Sequence, residues 1–269
     1  MLDLWLRSLE VAPSKREQFP FNLPMMRNGL TLNFASPVTF FAGENGTGKS
    51  TLLEVLALRC GLPTLGASDT DFDPSLRSLR DLSDDLHLKW RRRATYGFFA
   101  RAEDFFGFQK RINQTRRDLE LQIRDYETQL GDNREENKNI ERAIGYIRGQ
   151  IHELEARYGE DADARSHGEA FLNAFQARIS APGLYLLDEP EAALSPLRQM
   201  ALLKLVKDAV EVGSQFIIAT HSPLLLRLGE AQIIDFDQLP PRICEWEDLS
   251  SVRLWRAFWS APDAFLRRL

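Results

Sequence analysis

Gly43-Glu44-Asn45-Gly46-Thr47-Gly48-Lys49-Ser50-Thr51 follows the apolar stretch Pro37-Val38-Thr39-Phe40-Phe41-Ala42 and runs straight into Leu52-Leu53-Glu54-Val55-Leu56-Ala57-Leu58. The spacing G-x-x-x-x-G-K-[ST] between a buried strand and a helix is that of a phosphate-binding loop. Glycines are needed because the backbone must curl until successive N–H groups point inward at phosphate oxygens, where side chains would collide. Lys49 then reaches the β- and γ-phosphates of a nucleoside triphosphate, and the Ser50 hydroxyl is available to Mg²⁺. The helix beginning at Lys49 turns its positive end toward the anion. Every residue from Gly43 to Thr51 is therefore a candidate nucleotide contact.

A phosphate cradle does not by itself define chemistry, but two further segments complete a site. Leu184-Tyr185-Leu186-Leu187-Asp188-Glu189 reads as a fully buried strand ending in two acids. Asp188 is placed to hold the Mg²⁺ shell and Glu189 to orient and deprotonate an attacking water. A second buried strand, Gln215-Phe216-Ile217-Ile218-Ala219-Thr220, delivers His221 at its end, ahead of a helix expected from Ser222-Pro223. His221 reads as a γ-phosphate sensor, since open parallel sheets bind ligands at the carboxyl ends of their strands.

These residues, in this order, resemble the ABC-type ATPases, and among them the soluble heads of SMC and RecF type. The resemblance adds a signature-like segment, Ser166-His167-Gly168-Glu169, and a D-loop-like run, Glu191-Ala192-Ala193-Leu194-Ser195-Pro196. The block from Gly183 to Pro196 is most similar to small bacterial ATPases of the AAA family. The implied fold is α/β: a P-loop NTPase of ABC-ATPase head type, with a mostly parallel core sheet, an N-terminal antiparallel β portion and a helical insert. The implied activity is hydrolysis of ATP with Mg²⁺ by an ATP-dependent homodimer. In such a dimer Ser166, Gly168 and Glu169 of one copy close over the nucleotide of the other.

The chain departs from the family pattern at two places. His167 and Glu169 stand where the family usually has Gly and Gln, and Ser166 with Glu169 also reads as a helix-capping box. No glutamine stands at the expected Q-loop interval, where Tyr96-Gly97-Phe98-Phe99-Ala100-Arg101-Ala102-Glu103 offers Glu103 or Arg101. The same letters also read as an aromatic strand entering a charged helix. Phe19, Phe21 and Arg7 are the candidates beside the adenine.

Residues 104–165 form the insert within a single domain spanning 1–269. Ile112, Leu119, Ile123, Tyr126 and Leu130 are followed by Ile140, Ile144, Ile147, Ile151, Leu154 and Tyr158, mostly three and four apart. Gly131 as a terminator and Asp132 as an N-cap make the pattern an antiparallel hairpin with arms reaching roughly 36 Å. Either it projects as a shortened SMC-type arm or it packs on the head as a helical lobe. Its acids and bases nearly balance, which favours a protein partner over DNA.

Composition narrows the remaining choices. The 269 residues are 43% hydrophobic with a net charge of −5, enough for a core and against bulk attraction to nucleic acid. The basic run Lys89-Trp90-Arg91-Arg92-Arg93 is the local candidate for DNA contact. No stretch suits a membrane span, and the cytoplasm is the expected address. Cys60 and Cys244, far apart, read as reduced thiols. The alternatives to a partner-coupled ATPase are the ATP-binding subunit of a membrane transporter and a DNA-binding repair or phage-defence ATPase.

Overall fold

The computed structural model describes residues 4–64, 78–130, 134–158, 167–179 and 181–267. The chain divides into two compact units, one formed by Met1–Ala102 with Ala181–Leu269 and the other by Glu103–Ser180. Among the described residues no helix is long and apolar enough to cross a membrane.

The first unit runs through β1 (Leu6–Val11), α1 (Pro24–Arg27), β2 (Leu30–Asn33), β3 (Val38–Ala42), α2 (Lys49–Cys60), α3 (Arg80–Asp85), β4 (Leu86–Trp90) and β5 (Gly97–Arg101). The insert helices α4 (Ala102–Thr128), α5 (Arg134–Tyr158) and α6 (His167–Arg178) follow. The chain then returns through β6 (Leu184–Asp188), α7 (Pro196–Glu211), β7 (Gln215–Ala219), β8 (Gln232–Asp235), β9 (Arg242–Cys244), α8 (Ser250–Ser260) and α9 (Pro262–Leu266).

Six strands make the main sheet in the order β5-β6-β7-β3-β8-β9. All neighbours pair in parallel except β8 with β9. Side chains alternate between its two faces, and both faces are buried, which is why β3, β6 and β7 read as unbroken apolar runs. One face contributes Phe41, Phe99, Leu184, Leu186, Ile217, Ala219 and Ile234 to a core shared with Leu52, Leu53 and Leu56 of α2. The residues between them build an aromatic row, in which the Phe98 ring meets Tyr185 edge-on at 5.2 Å and Tyr185 stacks on Phe216 at 5.1 Å.

A second, antiparallel sheet in the order β2-β1-β4 supplies Leu6, Leu9, Leu30, Leu32 and Leu86 to the α2 core. Two buried glutamines fasten it to the main sheet. Gln215 Oε1 accepts from the Trp5 and Leu6 amides at 2.9 and 2.8 Å, while its Nε2 donates to the Leu6 carbonyl at 3.0 Å. Gln232 does the same beyond β2, accepting from the Ala35 amide and donating to the Asn33 carbonyl, both at 2.8 Å. A carboxamide suits this task because it offers both an acceptor and donors to backbone groups left over at two sheet margins.

The expected helix after Ser222-Pro223 is not formed; the chain makes only a 3₁₀ turn at Leu225–Arg227. Residues 220–231 must return from the end of β7 to the start of β8 beside β3, and a helix rising about 1.5 Å per residue gives too little reach.

In the second unit, α4 has 27 residues and α5 has 25. Ile112, Leu119, Ile123 and Tyr126 are half-buried on α4, as are Ile140, Ile151 and Leu154 on α5, and Ile144 and Ile147 are fully buried. The expected seam thus leaves water at these positions but not at Leu130, which is exposed at the end of the first arm, and the Tyr158 side chain lies outside the described residues; Arg148 of α5 is ion-paired to Glu127 of α4 at 3.3 Å. Gly131 and Asp132 lie outside the described residues.

Replacing Gln215 with alanine strands three buried backbone groups. Gln215→Ala is expected to lower stability by about 3 kcal/mol, read as a reduced urea midpoint with an unchanged slope.

Candidate functional site

The loop from Gly43 to Gly48 joins β3 to α2, and Gly43, Gly46 and Gly48 all have positive φ, at 139°, 83° and 96°. At Gly43 a Cβ would also lie 3.0 Å from Asp237 Oδ1, so glycine there meets both a backbone and a space requirement. Lys49, the first residue of α2, folds its ammonium back to donate to the Gly43 and Glu44 carbonyls at 2.7 and 2.8 Å. Burial pulls the Lys49 pKa below the ordinary lysine value, opposed by the carboxylates of Glu189, Asp237, Asp188 and Glu44. Thr47 Oγ1 donates to the Glu44 carbonyl at 2.9 Å and closes the loop. Thr51 follows Ser50 in the first turn of α2.

Asp188 ends β6, one strand removed from β3 across β7. Its Oδ1 accepts from Ser50 Oγ at 3.0 Å, which joins the two groups assigned to Mg²⁺. The carboxyl is 8% exposed, and desolvation pushes its pKa up to about 7, with Ser50 working in the opposite direction. Its β5 neighbour Arg101 is 6% exposed and reaches Glu54 of α2 at 3.3 Å. Arg101, offered for the Q-loop post, therefore sits beside the metal corner, bound to an acid of its own.

Glu189 extends the pairing by one bond, its amide donating to the Ala219 carbonyl at 2.9 Å, and then adopts a left-handed conformation at φ 48°, ψ 49°. That conformation costs a non-glycine residue about 1–2 kcal/mol and starts the turn into Pro190–Ala193. Across the β6–β7 margin, His221 Nε2 lies 3.3 Å from Glu189 Oε1, within ion-pair range but without hydrogen-bond alignment. Thr220 is fully buried and its amide donates to the Phe41 carbonyl, so the segment bearing His221 is tied to the strand that feeds the phosphate loop. Lys49, Ser50, Asp188, Glu189 and His221 thus gather at the carboxyl ends of β3, β6 and β7.

Other expected positions fall elsewhere. Ser166 lies outside the described residues, and Gly168 and Glu169 belong to the first turn of α6 in the second unit. Glu103 is in α4, and its side chain lies outside the described residues. Phe21 is core, with the Arg16 guanidinium 4.2 Å above its ring, whereas Phe19 is 51% exposed. In the basic run, Trp90 packs against the core, Lys89 pairs with Glu10, and Arg92 lies 4.0 Å over the Trp5 ring. Trp255 and Trp259 stack at 6.0 Å and, with Trp246, line an open groove of about 860 Å³ that His221 also borders.

Two family models match the chain. The model described as "AAA domain, putative AbiEii toxin, Type IV TA system" (AAA_21) covers residues 169–227, and a second AAA domain model (AAA_23) covers residues 20–73. The first span contains Asp188, Glu189 and His221, and the second contains the whole phosphate loop. Both segments that carry the site are thus similar to AAA domain models.

Several solved structures are similar to the chain over most of its length. An SMC head domain with an extended coiled coil, bound to the C-terminal domain of ScpA, from Pyrococcus furiosus, is 14% identical with a TM-score of 0.48, covering 96% of this chain and 99% of that one. CbiO1 from Clostridium perfringens, part of an ABC transporter complex, is 16% identical with a TM-score of 0.43, covering 98% and 100%. A bacterial ABC transporter cassette solved as a dimer is 20% identical with a TM-score of 0.40, covering 84% and 93%. No curated protein matches the sequence.

The residues present fit a magnesium nucleotide. Asp188 is a desolvated carboxyl that a cation would hold in its charged form, already in contact with a hydroxyl. Ser50 Oγ and Asp188 Oδ1 are oxygen donors of the kind that Mg²⁺ takes alongside phosphates and water. Sequence reasoning missed Asp237. Its Oδ1 accepts from the Glu44 amide at 2.6 Å, and Oδ2 accepts from Ser250 Oγ at 3.3 Å, linking the phosphate loop to the start of α8. The acid-rich end of Ile233-Ile234-Asp235-Phe236-Asp237, a further strand finishing at the same edge, was the available signal.

The raised Asp188 pKa fixes the sign of a stability change. Between about pH 4, where an unfolded aspartate titrates, and about pH 7, the folded chain holds a proton that the unfolded chain has lost. Without divalent metal, stability therefore falls as pH rises through that window. Asp188→Asn removes the loss: in chelator at pH 8 it is expected to melt about 5 °C above wild type, and at pH 4 no higher. Thermal scans with and without Mg²⁺ check this, with stabilisation by the metal in wild type alone.

Proposed function

We propose that the chain binds ATP with Mg²⁺, hydrolyses it to ADP and phosphate, and closes on ATP into a head-to-tail homodimer whose motion acts on a partner. The observation that carries this reading is the gathering of Lys49, Ser50, Asp188, Glu189 and His221 at one sheet edge, next to a loop with positive φ at Gly43, Gly46 and Gly48. The loop amides and the Lys49 ammonium hold the β- and γ-phosphates. Ser50 and Asp188 hold Mg²⁺, which when bound neutralises charge on the phosphate oxygens. Glu189 accepts a proton from the water whose oxygen attacks the γ-phosphorus, while the bond to the β-bridging oxygen breaks and ADP departs with that electron pair. The proton then passes to the departing phosphate. His221 steadies a γ-phosphate oxygen through Nε2, a buried nitrogen with no well-aligned protein partner.

Ser166, Gly168 and Glu169 are assigned to the second copy's nucleotide, at the start of α6, where helix-end amides favour an anion. Glu103 or Arg101 is assigned the Q-loop post. The α4–α5 hairpin within 104–165 is the docking element for a protein partner. Within Lys89–Arg93, the local candidate for DNA contact, Trp90 packs against the core and Arg92 lies over the Trp5 ring, which leaves the indole unavailable for stacking on a base. Two free thiols, with burial holding Cys60 up to about 12 and Cys244 up to about 11, suit the reducing cytoplasm.

Glu189→Gln is expected to bind ATP within about 3-fold of wild type, to lose about 100-fold or more in turnover, and to accumulate as an ATP-bound dimer. Sedimentation velocity with and without ATP reads the last of these, and a variant that stays monomeric with ATP rejects the dimer. Lys49→Ala, by contrast, is expected to abolish nucleotide uptake in calorimetry, because the loop loses its only lysine.

A further inference from the structure

Glu191 stands two residues beyond the proposed base, inside the Pro190–Ala193 turn, and its carboxylate spans to the turn that follows β7. Oε1 accepts three hydrogen bonds there: from Thr220 Oγ1 at 2.6 Å, from the His221 amide at 2.6 Å and from the Ser222 amide at 3.1 Å. Oε2 is buried without a hydrogen-bond partner, so the side chain's polar contacts are all spent on this second turn. Three donors on one oxygen call for an acceptor-only group, and a carboxylate has the strongest acceptor oxygens among side chains. The fixation continues outward: Ser222 Oγ donates to Gln199 Oε1 at 2.6 Å, and Gln199 Nε2 donates to the Leu194 carbonyl at 3.2 Å, which closes the path back to the segment that carries Glu191.

Glu189 rides on the first of these turns and His221 on the second. Among the described residues, Glu191 is the side chain whose hydrogen bonds run from Pro190–Ala193 to 220–222. We infer that Glu191 is a positioning residue that sets the spacing between the water-activating Glu189 and the γ-phosphate contact His221. The inference rests on the hydrolytic reading of the site. Glu191 touches no reacting atom; it acts through the backbone from which His221 rises. A carboxylate in this post leaves the phosphate loop alone, so its loss separates turnover from nucleotide binding.

The test uses the full-length chain with Glu191→Ala and Glu191→Gln. Amide hydrogen exchange at His221 and Ser222 reads the fixation directly. In Glu191→Ala it is expected to quicken about 10-fold or more, with the amides of β3 and α2 unchanged. Turnover is expected to fall about 30-fold while KM for ATP and the affinity for a fluorescent ATP analogue stay within about 3-fold, since a displacement near 1 Å is enough for such a loss. Glu191→Gln keeps an acceptor oxygen at the same reach and restores most of both losses. Unchanged exchange at His221 and Ser222, exchange that quickens equally through the whole chain, or unchanged turnover in Glu191→Ala overturns the inference. If the unsubstituted chain does not hydrolyse ATP, the hydrolytic reading falls, and exchange at those two amides still decides whether Glu191 holds the turns together.

Discussion

Burial of both faces of the main sheet is the constraint on which the rest depends. Strands β3, β6 and β7 have no residue facing water along their length, so charged side chains are excluded from them until the strands end, and the polar Thr39 and Gln215 within them are buried. Chemistry is thereby confined to the carboxyl edge, and the parallel pairing brings three such edges together. The phosphate loop, the Asp188–Glu189 pair and His221 are neighbours because the apolar runs before them have nowhere else to go.

That arrangement stores unfavourable terms at the edge. Desolvation pushes the Asp188 pKa up to about 7, burial pulls the Lys49 pKa below the ordinary lysine value, and Glu189 is held in a left-handed backbone. Each cost is offset by the cores on either side of the sheet, where α2 and the antiparallel strands cover one face and the Phe98–Tyr185–Phe216 row fills the other. A cation and a polyphosphate relieve the first two costs together, because each supplies the opposite charge that the buried group lacks. Conformational strain and shifted titration are common where a site is prepared for a charged ligand.

Long-range hydrogen bonds give the edge its shape. Asp237 reaches the Glu44 amide across 193 positions of sequence, and Glu191 reaches the Thr220–Ser222 turn across about thirty. Gln215 and Gln232 fasten the second sheet over separations of similar length. Each is a single polar side chain satisfying several backbone groups where regular pairing stops, which is the accounting that buried amides and carbonyls demand. The α8 helix, whose first residue meets Asp237, also borders the groove shared with His221, so the phosphate loop and the C-terminal segment meet through one carboxylate.

What the sequence by itself determined was everything written in local spacing: the glycine-lysine loop between strand and helix, the acid pair and the histidine at strand ends, the parallel α/β class and the three-and-four seam of α4 and α5. Local spacing reports these because side-chain periodicity and turn geometry act over a few residues. Tertiary structure alone decided which polar groups meet across the sheet margins, namely Asp237 on the loop, Glu191 on the second turn, the two glutamine clamps and Arg101 with Glu54. It also replaced the expected helix at Ser222 with a short 3₁₀ turn and drew Trp90 into packing. Such outcomes depend on strand order and crossover length, and no window of neighbouring residues carries either.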